Sequence, residues 1–374
     1  MLKIHRYLEE KILEDIGKRK ILIIYGARQV GKTTLVKIIL EKYKNSLYLN
    51  GDLIDDQDRL KEPTRAMVDQ FKGYDLLVID EAQKIEDIGI KLKVIFDTLP
   101  DLKIIATGSS AFELSNIVNE PLTGRYFSYT MYPISFSEAM ESNKFNLENE
   151  LIYGSYPEVV MTDDIKTKEA IIKNIASNYL FKDVLNIEYI KNSRSLEHLL
   201  KAVALQIGGQ VSTSELANIL DADAKTVLRY LDILHKLRII FPLYPYFSNK
   251  RQSIVKMKKY YFYDLGIRNA VAGDFGAIGA RNDVGALWEN FCVVERMKLN
   301  DSLSRAAENY FWRSYQGDEI DLIETQNRAI GGYEFKWSGQ GTSPKINTIY
   351  KEDLGGQKDL AIISKDNFKS FLSI

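Results

Sequence analysis

Residues 22–39 read LIIYGARQVGKTTLVKII: an apolar run, a glycine turn, the tetrad Gly-Lys-Thr-Thr, then apolar residues at helical spacing. The segment Gly26-Ala-Arg-Gln-Val-Gly31-Lys32-Thr33 fills every fixed position of G-x-x-x-x-G-K-[ST]. The pattern predicts a buried strand over 21–25 and a helix over 33–41. Glycines at both ends of the loop let backbone N–H groups converge at the positive end of the following helix, a place for phosphate. Lys32 would neutralise phosphate charge and Thr33 would offer its hydroxyl to Mg²⁺, with Thr34 a secondary contact. Arg28 inside the loop reads equally as an arginine finger or an ordinary surface arginine.

Working outward, residues 74–83 read YDLLVIDEAQ, an apolar strand running into two acids. Carboxylates are seldom buried without a partner. Asp80 is therefore placed to hold Mg²⁺, and Glu81 to orient and activate an attacking water. A further strand, LKIIATGSS, ends at Thr107-Gly108-Ser109-Ser110. Its tip, Ser109 included, suits a polar contact to the γ-phosphate, and suits a helix-capping turn equally well. Arg125, in LTGRYFSYTMYPISF, reads either as an arginine finger, within the subunit or across to a neighbouring copy, or as an ordinary surface arginine.

Strands expected at 21–25, 46–50, 76–80, 103–107 and 126–130 alternate with helical segments, which predicts a parallel sheet covered on both faces. With GARQVGKTT, VIDEAQ, TGSS and LTGR in place, and YPISFSEA after the last strand, residues 1–150 resemble the AAA-type ATPases of a prokaryotic branch. That resemblance implies ATP binding and hydrolysis on an open αβα sandwich, with Mg²⁺. No second-sensor arginine is evident.

The bulk numbers set bounds. A chain of 374 residues exceeds one ordinary domain. Hydrophobic content of 45% with 27% charged residues is globular. Fifty basic against 51 acidic side chains leave a net charge of −1, so any contact with nucleic acid must come from a local patch. One cysteine, Cys292, excludes an internal disulfide framework. The N-terminus is too charged for a signal peptide, and no apolar run reaches the roughly 20 residues of a membrane span. These features fit a reducing, cytoplasmic compartment and no membrane. The three histidines are scattered without metal-ligand spacing.

Residues 151–194 read as a helical lid or connector, including the stretch YLFKDV with Asp183. Residues 195–255 carry a three-helix pattern: a helix stopped at Gly208-Gly209, a capping box at Ser212-Thr-Ser-Glu215, and a third helix capped by Asp223. Val227, Leu228, Leu231 and Leu234 are expected to face inward. The order resembles a winged helix–turn–helix, which would present Lys225, Thr226 and Arg229 to DNA. Winged helices also serve as spacers and protein docks. The run from 250 to 259, with Lys250, Arg251, Lys256, Lys258 and Lys259, reads as a phosphate-contacting patch or a solvated strand face.

Residues 256–374 form the last expected domain. RSYQGDEIDLIE and YEFKWSG flank the short turn TQNRAIGG, which predicts antiparallel neighbours. Alternation puts Glu319 and Asp321 on one face of the first strand, and Glu334 and Lys336 on one face of the second. Asp321 and Glu334 would converge on one divalent cation with Lys336 beside it, or would form an ordinary cross-strand ion pair. Glu289 borders the apolar stripe Trp288, Phe291 and Val294 of the preceding helix. The set Glu289, Asp321, Glu334 and Lys336 resembles the PD-(D/E)xK nuclease fold, although no proline precedes Asp321.

Three functions compete. The first is an ATPase coupled to a DNA-associated nuclease-like domain, with a homo-oligomer among its expected partners. The second is a nucleotide-dependent switch that binds DNA or protein through the winged helix, with an inactive nuclease-like scaffold. The third is an ATPase that remodels protein.

Overall fold

Ile21, Leu22, Ile23 and Ile24 carry no polar side-chain atom, and a strand with both faces apolar is stable only inside a covered sheet. In a computed structural model this stretch is β1 (Ile21–Gly26), and it lies in the interior of its sheet. The structure describes residues 4–108, 121–178, 193–247, 257–314, 316–327, 329–339, 344–352, 354–356 and 359–373. They divide into two compact units, residues 1–133 with 236–238, and residues 134–235 with 239–374.

The first unit is built on β1, β2 (Ser46–Asn50), β3 (Leu76–Asp80), β4 (Lys103–Gly108) and β5 (Tyr126–Met131), in the order β2-β3-β4-β1-β5. Every adjacent pair is parallel. Each strand expected from the sequence is present within a residue of its expected ends. Ile23, Leu77, Ile79 and Ile104 pack into one core cluster with Leu92 and Ile95 of the helix Ile88–Thr98. Parallel pairing brings the carboxyl ends of β1, β3 and β4 to the same edge, and polar residues gather there.

The second unit holds a mixed seven-stranded sheet. Its strands are β6 (Gln210–Val211), β7 (Ile240–Pro245), β8 (Lys258–Phe262), β9 (Glu308–Arg313), β10 (Glu319–Gln326), β11 (Ala329–Phe335) and β12 (Ala361–Ile363). Their order is β12-β11-β10-β9-β7-β8-β6. The expected hairpin is β10 and β11, antiparallel with Leu322 opposite Tyr333. The helix Val284–Ser302 buries Trp288, Phe291 and Val294 as the pattern required. The Trp288 ring lies 5.6 Å from Phe291 and 5.4 Å from Phe368.

Several boundaries differ from expectation. By packing, residues 134–150, read as the tail of the ATPase domain, group with the second unit. Here the Phe136 N–H donates to Glu295 at 2.6 Å. The division read at 255 falls inside the antiparallel pair β7–β8, and β8 also pairs with β6. Ser212 accepts from the Glu215 N–H at 3.3 Å, but the Glu215 carboxylate accepts from Gln206 instead of closing the box. Leu228 is 49% exposed on the helix Ala224–Lys236, and Tyr230 and Ile233 take inward places. Asp183, Lys250, Arg251 and Lys256 lie outside the described residues.

Ile23 is fully buried in an interior strand. Ile23→Ala is expected to cost about 2–5 kcal/mol, read as a lower urea midpoint for the first unit. A loss under about 1 kcal/mol would contradict this core assignment.

Candidate functional site

The loop from Gly26 to Lys32 joins β1 to the helix Lys32–Leu40. Two of its residues take left-handed backbone angles, Gln29 at φ 60° and Gly31 at φ 102°. Turns of this kind aim consecutive N–H groups inward. Gly26 packs so closely under β5 that a methyl there would lie 2.5 Å from the Met131 carbonyl oxygen. Arg6 braces the loop from outside, donating to Val30 O at 2.8 Å and to Tyr132 O at 2.6 Å.

Lys32 is buried, and its ammonium donates to the carbonyls of Gly26 at 2.9 Å and Ala27 at 2.8 Å. The Thr33 hydroxyl donates to Asp80 Oδ2 at 2.7 Å, so the loop and the end of β3 meet as expected. Asp80 is only 2% exposed. Tyr48 on β2 also donates to Asp80 Oδ2, at 2.8 Å, and Thr107 on β4 donates to Oδ1. Burial, aided by the bond to Asp80, pushes the Tyr48 phenol well above its usual range. Glu81 has a left-handed backbone at φ 50°. Its N–H donates to Thr107 Oγ1 at 3.2 Å, and its carboxylate accepts from Gln83 at 2.6 Å. Oxygen ligands beside a backbone-lined loop and a lysine suit a hard cation and a phosphate chain.

Thr34 is exposed and Arg28 is half-buried. Ser109 lies outside the described residues. Arg125 is placed far from the loop at Gly26–Lys32. Its carbonyl accepts from the Ile21 N–H at 2.9 Å, at the amino end of β1, and its guanidinium pairs with Asp97 at 2.9 Å and 3.2 Å. Gly26 is five residues along β1, about 16 Å at the usual strand rise. A finger acting on this chain's own loop is therefore corrected: that end of the sheet does not reach it.

The second cluster lies wholly in the second unit. The β10–β11 register sets Asp321 beside Glu334, and Asp321 Oδ2 accepts from the Phe335 N–H at 2.8 Å. Lys336 is 43% exposed and lies 3.4 Å from Glu334 Oε2. Carboxylate oxygens of Glu289, Glu319 and Asp321 all lie within 4.8 Å of one another. Burial pushes Glu289 up to about 7, and moves Asp321 and Glu334 upward as well. Lys259 also enters this cluster, although the sequence placed it in a basic patch. It is 1% exposed, pairs with Glu289 at 2.8 Å and pairs also with Glu319. Burial alone would lower its pKa, but Glu289 and Glu319 outweigh that and raise it. Tyr261, two residues on, donates to the same Glu289 oxygen at 2.5 Å.

Lys225 and Arg229 are exposed, as the helix–turn–helix pattern expected. Thr226 is turned back onto its cap, donating from both N–H and hydroxyl to Asp223. Exposed Glu215, Asp221, Asp223 and Asp232 share this pair of helices, as do exposed Ile219 and Leu228. These four acids outnumber the exposed Lys225 and Arg229 and the half-buried Lys236 on the two helices. Among the described residues, no helix is long and apolar enough to cross a membrane.

Residues 18–140 match the family model described as an AAA domain. Residues 144–277 and 284–370 match two models described as domains of unknown function, DUF8612 and DUF4143. An uncharacterized protein of Haemophilus influenzae is 28% identical over 336 residues, covering 81% of this chain and 80% of that one. An uncharacterized protein of Mycobacterium tuberculosis is 26% identical over 358 residues, covering 95% and 78%. Among solved structures, the Walker-type ATPase of Pyrococcus abyssi superposes with a TM-score of 0.52 at 17% identity, over 72% of this chain and 96% of that one. That likeness is one of fold. The matched model, the parallel sheet and the loop geometry support an AAA-type P-loop ATPase domain within residues 18–140.

Close packing at Gly26 sets a test of the loop. Gly26→Ala is expected to destabilise the first unit by about 1–3 kcal/mol through overpacking against Met131. An unchanged melting temperature would contradict the close approach.

Proposed function

We propose that the protein binds ATP with Mg²⁺ and hydrolyses it, and that the cycle drives a nucleotide-dependent switch. The observation that carries this is the hydrogen bond from Thr33 to Asp80, which joins the P-loop helix to the acidic end of β3. Backbone N–H groups of the loop would hold the phosphates. Lys32 would leave the carbonyls of Gly26 and Ala27 to neutralise β- and γ-phosphate charge. Thr33 and Asp80 would hold Mg²⁺, which when bound neutralises the charge developing on the transferred phosphoryl group. Glu81, now tied to Gln83, would orient water and accept its proton. Arg125 keeps a role only across to a second copy.

Downstream of the P-loop, the order of helix Ser193–Leu205, β6, helix Thr213–Leu220, helix Ala224–Lys236, β7 and β8 supports a winged helix–turn–helix. The surplus of acids over Lys225 and Arg229 favours a protein partner for it over DNA. A second reading, a metal-dependent nuclease, is supported by the order helix Val284–Ser302, β9, β10, β11, helix Pro344–Glu352, β12. In that reading Glu289, Asp321, Glu334 and Lys336 would be the residues of a PD-(D/E)xK site.

Two experiments separate these outcomes. Glu81→Gln is expected to lower ATP turnover by roughly 10²–10⁴-fold while nucleotide binding persists; turnover near that of the unaltered chain would remove Glu81 from the role. Plasmid incubated with Mn²⁺ is expected to stay intact with the unaltered chain and with Lys336→Ala alike. Nicking that vanishes in Lys336→Ala would establish the nuclease instead.

A further inference from the structure

We infer that Lys259 is the resident cation of the acidic cluster in the second unit, standing where a nuclease-like core would carry a divalent metal. The inference concerns the nuclease reading and is independent of the P-loop. Three carboxylates meet here, those of Glu289, Glu319 and Asp321, and the β10–β11 register sets Glu334 beside Asp321. A group of acids so far out of water needs a cation or protons. One comes from within the chain: the Lys259 ammonium contacts both Glu289 and Glu319.

The residue comes from outside the helix–strand–strand–strand–helix–strand series that resembles a nuclease. It lies on β8, between β6 and β7, with Gln210 and Leu243 as its two register partners. Pairing on both sides fixes its backbone, and only the side chain is free to choose a direction. Alternation puts Tyr261 on the same face, and its hydroxyl reaches the same Glu289 oxygen that Lys259 contacts. The strand therefore delivers two donors into the cluster. Ring contact adds to the fit, since the ammonium lies 5.5 Å from the Phe311 centroid.

A divalent metal does not fit beside these groups. Mg²⁺ requires near-octahedral oxygen ligands at about 2.0–2.1 Å. Glu289, Glu319 and Asp321 are close enough to share one ion, but Lys259 and Tyr261 already donate to Glu289, and the Phe335 N–H already donates to Asp321. A second cation among them would meet the ammonium at short range in a poorly solvated place. The cluster is thus a closed ionic tie that fastens β8 to the helix Val284–Ser302 and β10.

The test uses the full chain without nucleotide, in an Asp80→Asn background that removes the P-loop acid, with Mn²⁺ binding followed by electron paramagnetic resonance. With Lys259 present, no stoichiometric Mn²⁺ is expected. Lys259→Met is expected to bind one equivalent, roughly tenfold or more tighter than its parent. The double variant Lys259→Met with Glu319→Gln removes a cation and an anion together, and serves if the single change does not fold. One equivalent of Mn²⁺ bound by the chain that keeps Lys259, and lost on Asp321→Asn, would overturn the inference. So would a folded Lys259→Met chain that binds no more Mn²⁺ than its parent. If neither variant folds, the arm that keeps Lys259 decides the question by itself.

Discussion

One carboxylate organises the first unit. Asp80 accepts hydroxyl hydrogen bonds from Thr33 at the start of the P-loop helix, from Tyr48 on β2 and from Thr107 on β4. A buried charge without partners would be costly, and three donors remove that cost. The same bonds fix the loop relative to the strand ends, because each donor comes from a different element. Parallel pairing makes this possible by collecting the carboxyl ends of the strands on one edge. Glu81 follows directly, with its backbone turned left-handed and its side chain held by Gln83. A site arranged this way is held by the sheet rather than by the loop.

The second unit solves a similar problem differently. Its acids are balanced by a lysine together with the Tyr261 hydroxyl, and burial still leaves Glu289 far above the usual carboxylate range. Asp80 is satisfied by neutral donors whose hydroxyl oxygens retain lone pairs, and its neighbours can rotate toward a cation. The acids around Lys259 face a fixed positive charge. That contrast in chemistry, more than the difference in fold, underlies the proposal that the first site takes a metal and the second does not.

Much of this architecture is legible in local sequence patterns. The five parallel strands and the loop from Gly26 to Thr33 are encoded in contiguous residues, and so is the β10–β11 pair. Contacts between distant segments are not encoded that way. Tyr48 gave no signal, because an aromatic on an amphipathic strand is ordinarily packing. Lys259 read as one member of a basic run, since nothing local shows that Glu289 and Glu319 will surround it. The reading of Arg125 as a finger within the chain failed because nearness in the chain to the end of the ATPase pattern is not nearness to the loop. It sits at the amino end of a strand whose other end carries the site. Leu228 misled for a different reason. Helical spacing defines a stripe, but its edge depends on which neighbours cover it.

The account stands on Asp80 and Thr33 acting together on a magnesium-bound triphosphate. Calorimetry of ATP binding to the full chain, with Mg²⁺ and with chelator, for the unaltered protein and for Asp80→Asn, tests that most directly. Mg²⁺ is expected to tighten ATP binding to the unaltered protein by roughly tenfold or more, and to leave Asp80→Asn nearly unmoved. Equal tightening in both proteins, or no ATP binding to either, would contradict it.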